Sequence, residues 1–256
     1  AFDPHEPFDP PESEYVRLFG RERRGLQKEG IQPIQPFNTP ASYASKLDLD
    51  EEDLQVIRQL YAGELAFADA WIGRLLNRLD DLGLADDTVV IYLSDHGVML
   101  GEHDILGKAA SEPYREIYRI PYVIRDPSGR RAGETSGYFA STHDVARTVL
   151  SLMGIRAPGA MDGEDLSVLF EGGEPPARPI WTSAYQDTYL AGDERWVLIA
   201  PESGKVRRLY DNATDPEQLH DVADRHPEKL EELWQALIDA AGGTLPVFGL
   251  AEVVGG

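Results

Sequence analysis

Thr88-Val89-Val90-Ile91-Tyr92-Leu93-Ser94-Asp95-His96-Gly97 is the stretch on which the fold of this chain turns. Its first six residues are an uninterrupted β-prone run, the pattern of a strand buried on both faces of a sheet. The next four are small or polar and fall at the C-terminal end of that strand, where ligands bind in open α/β sheets. Adjacent Asp95 and His96 can ligate one metal ion if the backbone turns sharply between them, and Gly97 permits such a turn. In an ordinary loop an Asp-His pair reads as a cap and an exposed ring. Its place just beyond a buried strand favours chemistry instead.

Upstream, Leu54, Ile57, Leu60, Tyr61, Leu65, Ala68, Trp71, Ile72, Leu75, Leu76 and Leu79 recur every three or four residues. That spacing predicts an amphipathic helix over 51–82, with Trp71 packed under the sheet. Asp50, Glu51, Glu52 and Asp53 suit its N-terminal dipole, and Gly83 suits its exit. Before it, the proline-rich residues 1–12 read as a loop, 13–27 as a short charged helix and 30–47 as a surface excursion. Downstream, Ile120 to Ile124 predicts a second strand with Pro121 near its start. A helix over 142–153 opens at Ser141 or Thr142 and closes at Gly154.

After Gly154 the elements shorten. Strands are expected at 179–185, 195–200 and 205–210, with Glu202-Ser203-Gly204 as a hairpin turn. Pro227 to Ala241 predicts a helix whose stripe is Leu230, Leu233, Trp234, Leu237 and Ile238. Trp181, Trp196 and Trp234 are expected in the core of this part. The resulting architecture is α/β: a three-layer sandwich around a mainly parallel sheet, incomplete on its N-terminal side, over residues 1–155. A small α+β subdomain follows over 156–256.

The chain has 256 residues, 42% hydrophobic and 27% charged, which is globular usage. Its 24 basic against 45 acidic residues leave a net charge of −21, a field that repels nucleic acid and anionic lipid. No apolar run reaches the roughly 18 residues of a membrane span. Without cysteine there is no disulfide framework, thiolate cluster or cysteine nucleophile in this sequence. The start, AFDPHEPFDPPESEY, has no initiator Met, no basic segment and no apolar signal core, so further residues are expected upstream.

The segment Ser94 to Lys108, SDHGVMLGEHDILGK, resembles the sulfatase family of the alkaline-phosphatase-like superfamily. The resemblance extends further. Asp3-Pro4-His5-Glu6-Pro7 resembles the family's HxP loop, and Tyr118-Arg119-Ile120-Pro121-Tyr122 its R-[VI]-P strand. Ser141 to Ile155 resembles its "hDlaPTLLdLaGi" helix, with Arg147 where Pro is usual. Met161 to Leu166 resembles the "mDGxSL" turn, and Leu209-Tyr210-Asp211 with Asp215-Pro216-Glu217-Gln218 the "LYDLxxDPxE" exit.

The resemblance implies hydrolysis of a small anionic ester, most often a sulfate, with phosphonate monoesters and phosphodiesters as variants. It makes Asp95 and His96 ligands of one divalent metal ion, with His96 where many relatives carry Asn. Calcium, magnesium or manganese suits the carboxylate, and an imidazole tilts the choice toward manganese or another transition metal. Lys108 would contact the transferred anion, and His5 would donate a hydrogen bond to it or protonate the leaving group. The family's nucleophile, a formylglycine or a Ser in C-x-P-x-R or S-x-P-x-R, and two further metal-binding aspartates are expected upstream of this sequence. A non-catalytic anion-binding or interaction module is the reading from another class.

Two look-alikes compete. Ser111-Glu112-Pro113-Tyr114-Arg115 spells S-x-P-x-R, but follows the metal strand instead of preceding it. Asp80-Asp81-Leu82-Gly83 mimics paired aspartates, yet ends an amphipathic helix. His103 is a candidate for outer hydrogen bonding to the metal loop, whereas His143, His220 and His226 carry no such signal.

Overall fold

The computed structural model describes residues 42–43, 49–108, 112–185 and 187–247. His5, the loop around it and Ser111 lie outside the described residues. In chain order the elements are β1 (Ser42–Tyr43), α1 (Glu51–Asp81), β2 (Val90–Leu93), β3 (Met99–Leu100), β4 (Ile105–Gly107), α2 (Arg115–Tyr118), β5 (Tyr122–Arg125) and α3 (His143–Leu152). They continue with β6 (Trp181–Tyr185), β7 (Thr188–Gly192), β8 (Trp196–Pro201), β9 (Arg208–Asp211) and α4 (Pro227–Ala240). Packing divides the chain into two units, one of residues 1–85 and 97–117, the other of residues 86–96 and 118–256. Residue 155, where the sequence suggests a domain boundary, lies inside the second unit. Among the described residues no helix is long and apolar enough to cross a membrane.

In the first unit α1 starts on a reciprocal capping box. Asp53 N–H donates to the Asp50 carboxylate at 2.9 Å, and Asp50 N–H donates to the Asp53 carboxylate at 3.3 Å. The buried Ile57 packs with Leu106 of β4, and Leu49, Leu54 and Leu100 close around them. Arg58 donates from Nε to the Leu100 carbonyl at 3.1 Å. The short strands run β1-β4-β3, all antiparallel. Further along α1 the expected apolar face is uncovered: Leu65, Trp71 and Leu75 are exposed, Trp71 at 51%, while Glu64 is buried. Trp71 is therefore not under a sheet. Its ring packs on Phe67 and under the Arg74 guanidinium of the same helix.

In the second unit β2 pairs with β5 in antiparallel register, Val90 opposite Arg125 and Leu93 opposite Tyr122. This corrects two expectations. Every strand pair among the described residues is antiparallel, so a mainly parallel three-layer sandwich is not what these strands form. A parallel pair needs a long crossover, commonly a helix, and between β2 and β5 the only α-helix among the described residues is the four-residue α2. Nor is β2 buried on both faces. Tyr92 is 41% exposed.

The four-stranded sheet β6-β7-β8-β9 is an antiparallel meander, and α4 lies across it. Tyr189, Leu198, Leu209, Leu233 and Leu237 make its buried centre, with Trp196 and Trp234 packed at the margin. This part of the second unit is therefore an antiparallel sheet with one helix packed on it. Its most buried strand, β7, is the one that the sequence reading lacks. α3 is tied to the following turn by a close approach: a Cβ at Gly163 would overlap the His143 carbonyl oxygen. Arg147, which stands where Pro is usual in the resembled helix, donates from Nη2 to the Met161 carbonyl at 3.0 Å. It thereby joins α3 to the same turn.

Candidate functional site

The polar residues sit where the sequence places them, just beyond β2. Ser94 turns its hydroxyl inward to the His96 carbonyl at 2.6 Å, and His96 N–H donates to Asp95 Oδ1 at 2.9 Å. With the backbone folded in this way, the two side chains come together. Asp95 Oδ2 and His96 Nε2 come within 3.6 Å, with the Asp95 side chain 85% exposed and the imidazole 23% exposed. Two donors at that separation can share one cation at about 2.0 to 2.6 Å each. Among the described residues no third His, Asp or Glu joins them in a metal-holding group. The pair fits a divalent ion as part of a coordination shell.

The imidazole has a neighbour that was not foreseen. His96 meets the Tyr185 ring edge to face, with centroids 5.7 Å apart and planes at 74°. Tyr185 ends β6, nearly ninety positions downstream, so no local pattern could have signalled it.

The other residues of the SDHG-to-GK segment belong to the first unit. Gly97 donates its N–H to the Ile117 carbonyl at 2.8 Å, and a Cβ on it would overlap the Glu116 carbonyl oxygen. Only glycine allows the two backbones to approach this closely. Gly101 at φ +107°, before the buried β4, and Gly107 at φ +89°, its last residue, also use conformations open to glycine. Lys108 directly follows, half-buried at the end of β4. Glu102 folds back to accept from Leu100 N–H at 2.5 Å.

His103 stacks flat on Tyr114, with centroids 3.6 Å apart and planes at 3°. Its backbone sits at φ +53°, a left-handed conformation costly for a non-glycine residue. In the S-x-P-x-R look-alike, Pro113 and Tyr114 are buried, and Arg115 opens α2. The Glu116 carboxyl nearby is raised above its ordinary range, chiefly by burial, with Glu102 adding to the rise and His103 opposing it.

A protein family model described as Sulfatase matches residues 5–155, more than half of the chain. The chain belongs to the sulfatase family. The match takes in the SDHG and GK segments, the long helix and the β5 strand. An N-acetylglucosamine-6-O-sulfatase of Bacteroides thetaiotaomicron is 32% identical over 200 residues, 72% of this chain and 35% of that protein. The multifunctional alkaline phosphatase superfamily protein PehA of Trinickia caryophylli is 38% identical over 128 residues, 50% of this chain and 24% of that protein.

Among solved structures, the phosphonate monoester hydrolase of Agrobacterium radiobacter superposes with a TM-score of 0.69 at 30% identity, covering 77% of this chain and 44% of that one. The structure of BT4656 in complex with its substrate D-glucosamine-2-N,6-O-disulfate gives a TM-score of 0.66 at 28% identity, covering 78% of this chain and 44% of that one. These neighbours place the sulfatase chain in an α/β fold of the alkaline-phosphatase-like kind. The chain spans less than half the length of each of these relatives.

Proposed function

We propose that the chain carries part of the active centre of a metal-dependent sulfate-ester hydrolase. The observation that carries this reading is the Asp95–His96 pair, folded together at the end of β2 in a chain of the sulfatase family. Asp95 and His96 would hold one divalent cation, calcium, magnesium or manganese, whose charge would offset that of the substrate's nonbridging oxygens. Lys108 serves the same anion as a point charge, so it acts most where charge accumulates during transfer. His5 gives a proton or a hydrogen bond at the ester oxygen. The nucleophile, a formylglycine or Ser, comes from residues beyond this sequence. This is in keeping with relatives of whose length the chain covers less than half.

A phosphonate monoester is the second substrate class, favoured by the likeness to a phosphonate monoester hydrolase. Both anions present nonbridging oxygens to the same cation and lysine.

The test compares residues 1–256 with the protein extended upstream through its C-x-P-x-R or S-x-P-x-R segment. Each is assayed on 4-nitrophenyl sulfate and on a phenyl phosphonate monoester, with and without divalent metal. The extended protein is expected to turn over one ester only with metal, and residues 1–256 alone neither. Turnover by residues 1–256 that Ser111→Ala abolishes would move the nucleophile to Ser111. An extended protein that binds sulfate without turnover would be an anion-binding module.

A further inference from the structure

We propose that Tyr185 is a specificity-determining residue of the candidate site, its ring forming a wall on which the alcohol portion of the ester lies. The alcohols it favours are those that present a ring face, aryl or pyranose. The inference rests on the reading of Asp95 and His96 as the pair that holds the cation, and it adds the class of alcohol that the site takes.

Strand alternation places the residue. In β7, Tyr189 and Ala191 belong to the core under α4, so Thr188 and Leu190 face the other way. Tyr185 lies directly opposite Thr188, and opposed residues of an antiparallel pair share a face. Tyr185 therefore stands on the face turned away from α4. Trp181, Ser183 and Tyr185 follow one another along that face of β6, an edge strand of its sheet. All three are half-buried, whereas β7 beside them is buried throughout. At one end of this stripe Trp181 packs on Tyr118, and a Cβ at Gly192 would strike its ring, so that end is filled by packing. At the other end Tyr185 meets the His96 imidazole, with centroids 5.7 Å apart.

That contact brings the ring within reach of a bound ester. In a sulfate ester or a phosphonate monoester, the oxygen facing the cation is joined to the alcohol carbon through the central atom and the bridging oxygen alone. The alcohol therefore begins close to Asp95 and His96. The Asp95 side chain is 85% exposed and that of His96 23%, so the pair opens to solvent on the Asp95 side, while the tyrosine ring stands on the imidazole side. Against an aromatic wall, a ring-bearing alcohol gains contact and ring packing that a short alkyl chain cannot match, a preference of about three- to tenfold.

The experiment uses the protein extended upstream, as wild type, Tyr185→Phe, Tyr185→Leu and Tyr185→Ala. Each is given 4-nitrophenyl sulfate, a hexose 6-sulfate and ethyl sulfate. With Mn²⁺ added, kcat/KM is measured for each ester; without metal, the dissociation constant of each is measured by calorimetry. Both are compared as the ratio of ring-bearing to ethyl ester, so a general loss of activity cancels.

The ratio is expected to fall about three- to tenfold in the Leu and Ala variants and to be kept in Tyr185→Phe. Tyr185→Leu serves if the alanine variant unfolds. A fall confined to one of the two ring-bearing esters identifies that alcohol as the one the wall receives. An unchanged ratio in both Leu and Ala overturns the proposal, and so does an equal fall in Phe. Wild type without turnover defeats the hydrolase reading, while the ratio of dissociation constants still decides the part played by Tyr185. A wild type that neither turns over nor binds any of the three esters overturns both.

Discussion

Asp144 and Arg178 form a two-point ion pair in the second unit, with Nη2 to Oδ1 at 2.7 Å and Nη1 to Oδ2 at 3.0 Å. Asp144 is wholly buried and also accepts N–H bonds from Ser141 and Glu164, each at 2.7 Å. One carboxylate thus joins the start of α3, the turn at Gly163 and the segment before β6. Burial alone would raise the Asp144 pKa, but Arg178 and the two N–H donors hold it below the ordinary carboxylate value.

Asp144→Ala should therefore cost about 3–5 kcal/mol, because it leaves a mostly buried guanidinium and two N–H groups without their acceptor. Arg178→Ala should cost less, since the carboxylate keeps both N–H donors. Urea denaturation of the two variants checks the order; equal losses would contradict it.

The pH dependence has a definite sign. Asp211, paired with Arg195 at 2.8 and 2.7 Å, has its pKa held down to about 2, first by that hydrogen-bonded guanidinium. A carboxyl whose folded pKa is depressed contributes stability at pH values above its unfolded value, about 3.9, and loses it as pH falls through the folded one. Asp144 acts in the same direction. The chain should lose stability between about pH 4 and about pH 2, and Asp211→Asn should flatten that slope. Arg195 is half exposed, so added salt should shrink the Asp211 part. Melting curves across this range, at low and high salt, are the measurement.

Two glycine replacements should act in opposite directions. Gly97→Ala forces a Cβ into the Glu116 carbonyl and should cost on the order of 1–3 kcal/mol or more. Gly73→Ala, inside α1 with open space around it, should instead stabilise by about 0.4–1 kcal/mol. Denaturant titrations of both variants would show whether the close backbone approach at Gly97 matters as much as its geometry says.

In the active protein, Asp95→Ala and His96→Ala should lower bound divalent metal. Lys108→Ala and His5→Ala should leave it in place while reducing kcat/KM by about 10² to 10³. Metal analysis alongside kinetics separates the two groups. Full metal content in both Asp95→Ala and His96→Ala would remove them from the ligand set.

Much of this was legible in local pattern. The 3.6-residue period and terminal signals predicted α1, α3 and α4 to within about two residues, because helix limits depend on neighbours along the chain. The SDHG segment was legible because glycine and adjacent donors record a backbone demand in residue identity. β7 was not. Thr188-Tyr189-Leu190-Ala191-Gly192 has little of the β-branched signature, and it is a strand because β6 and β8 pair with it on both sides.

Residue order was enough to place two donors side by side after a strand, and to mark the family, since both are statements about neighbours in sequence. Long-range packing decided which faces are covered and what lies against the Asp95–His96 pair. The α1 stripe repeats evenly, yet Ile57 is buried and Trp71 is open, because burial depends on what arrives from elsewhere in the chain. For the same reason the apolar β2 run does not reveal that its strand pairs antiparallel to β5. The contact between His96 and Tyr185 joins residues far apart in sequence, through a sheet that no local periodicity records.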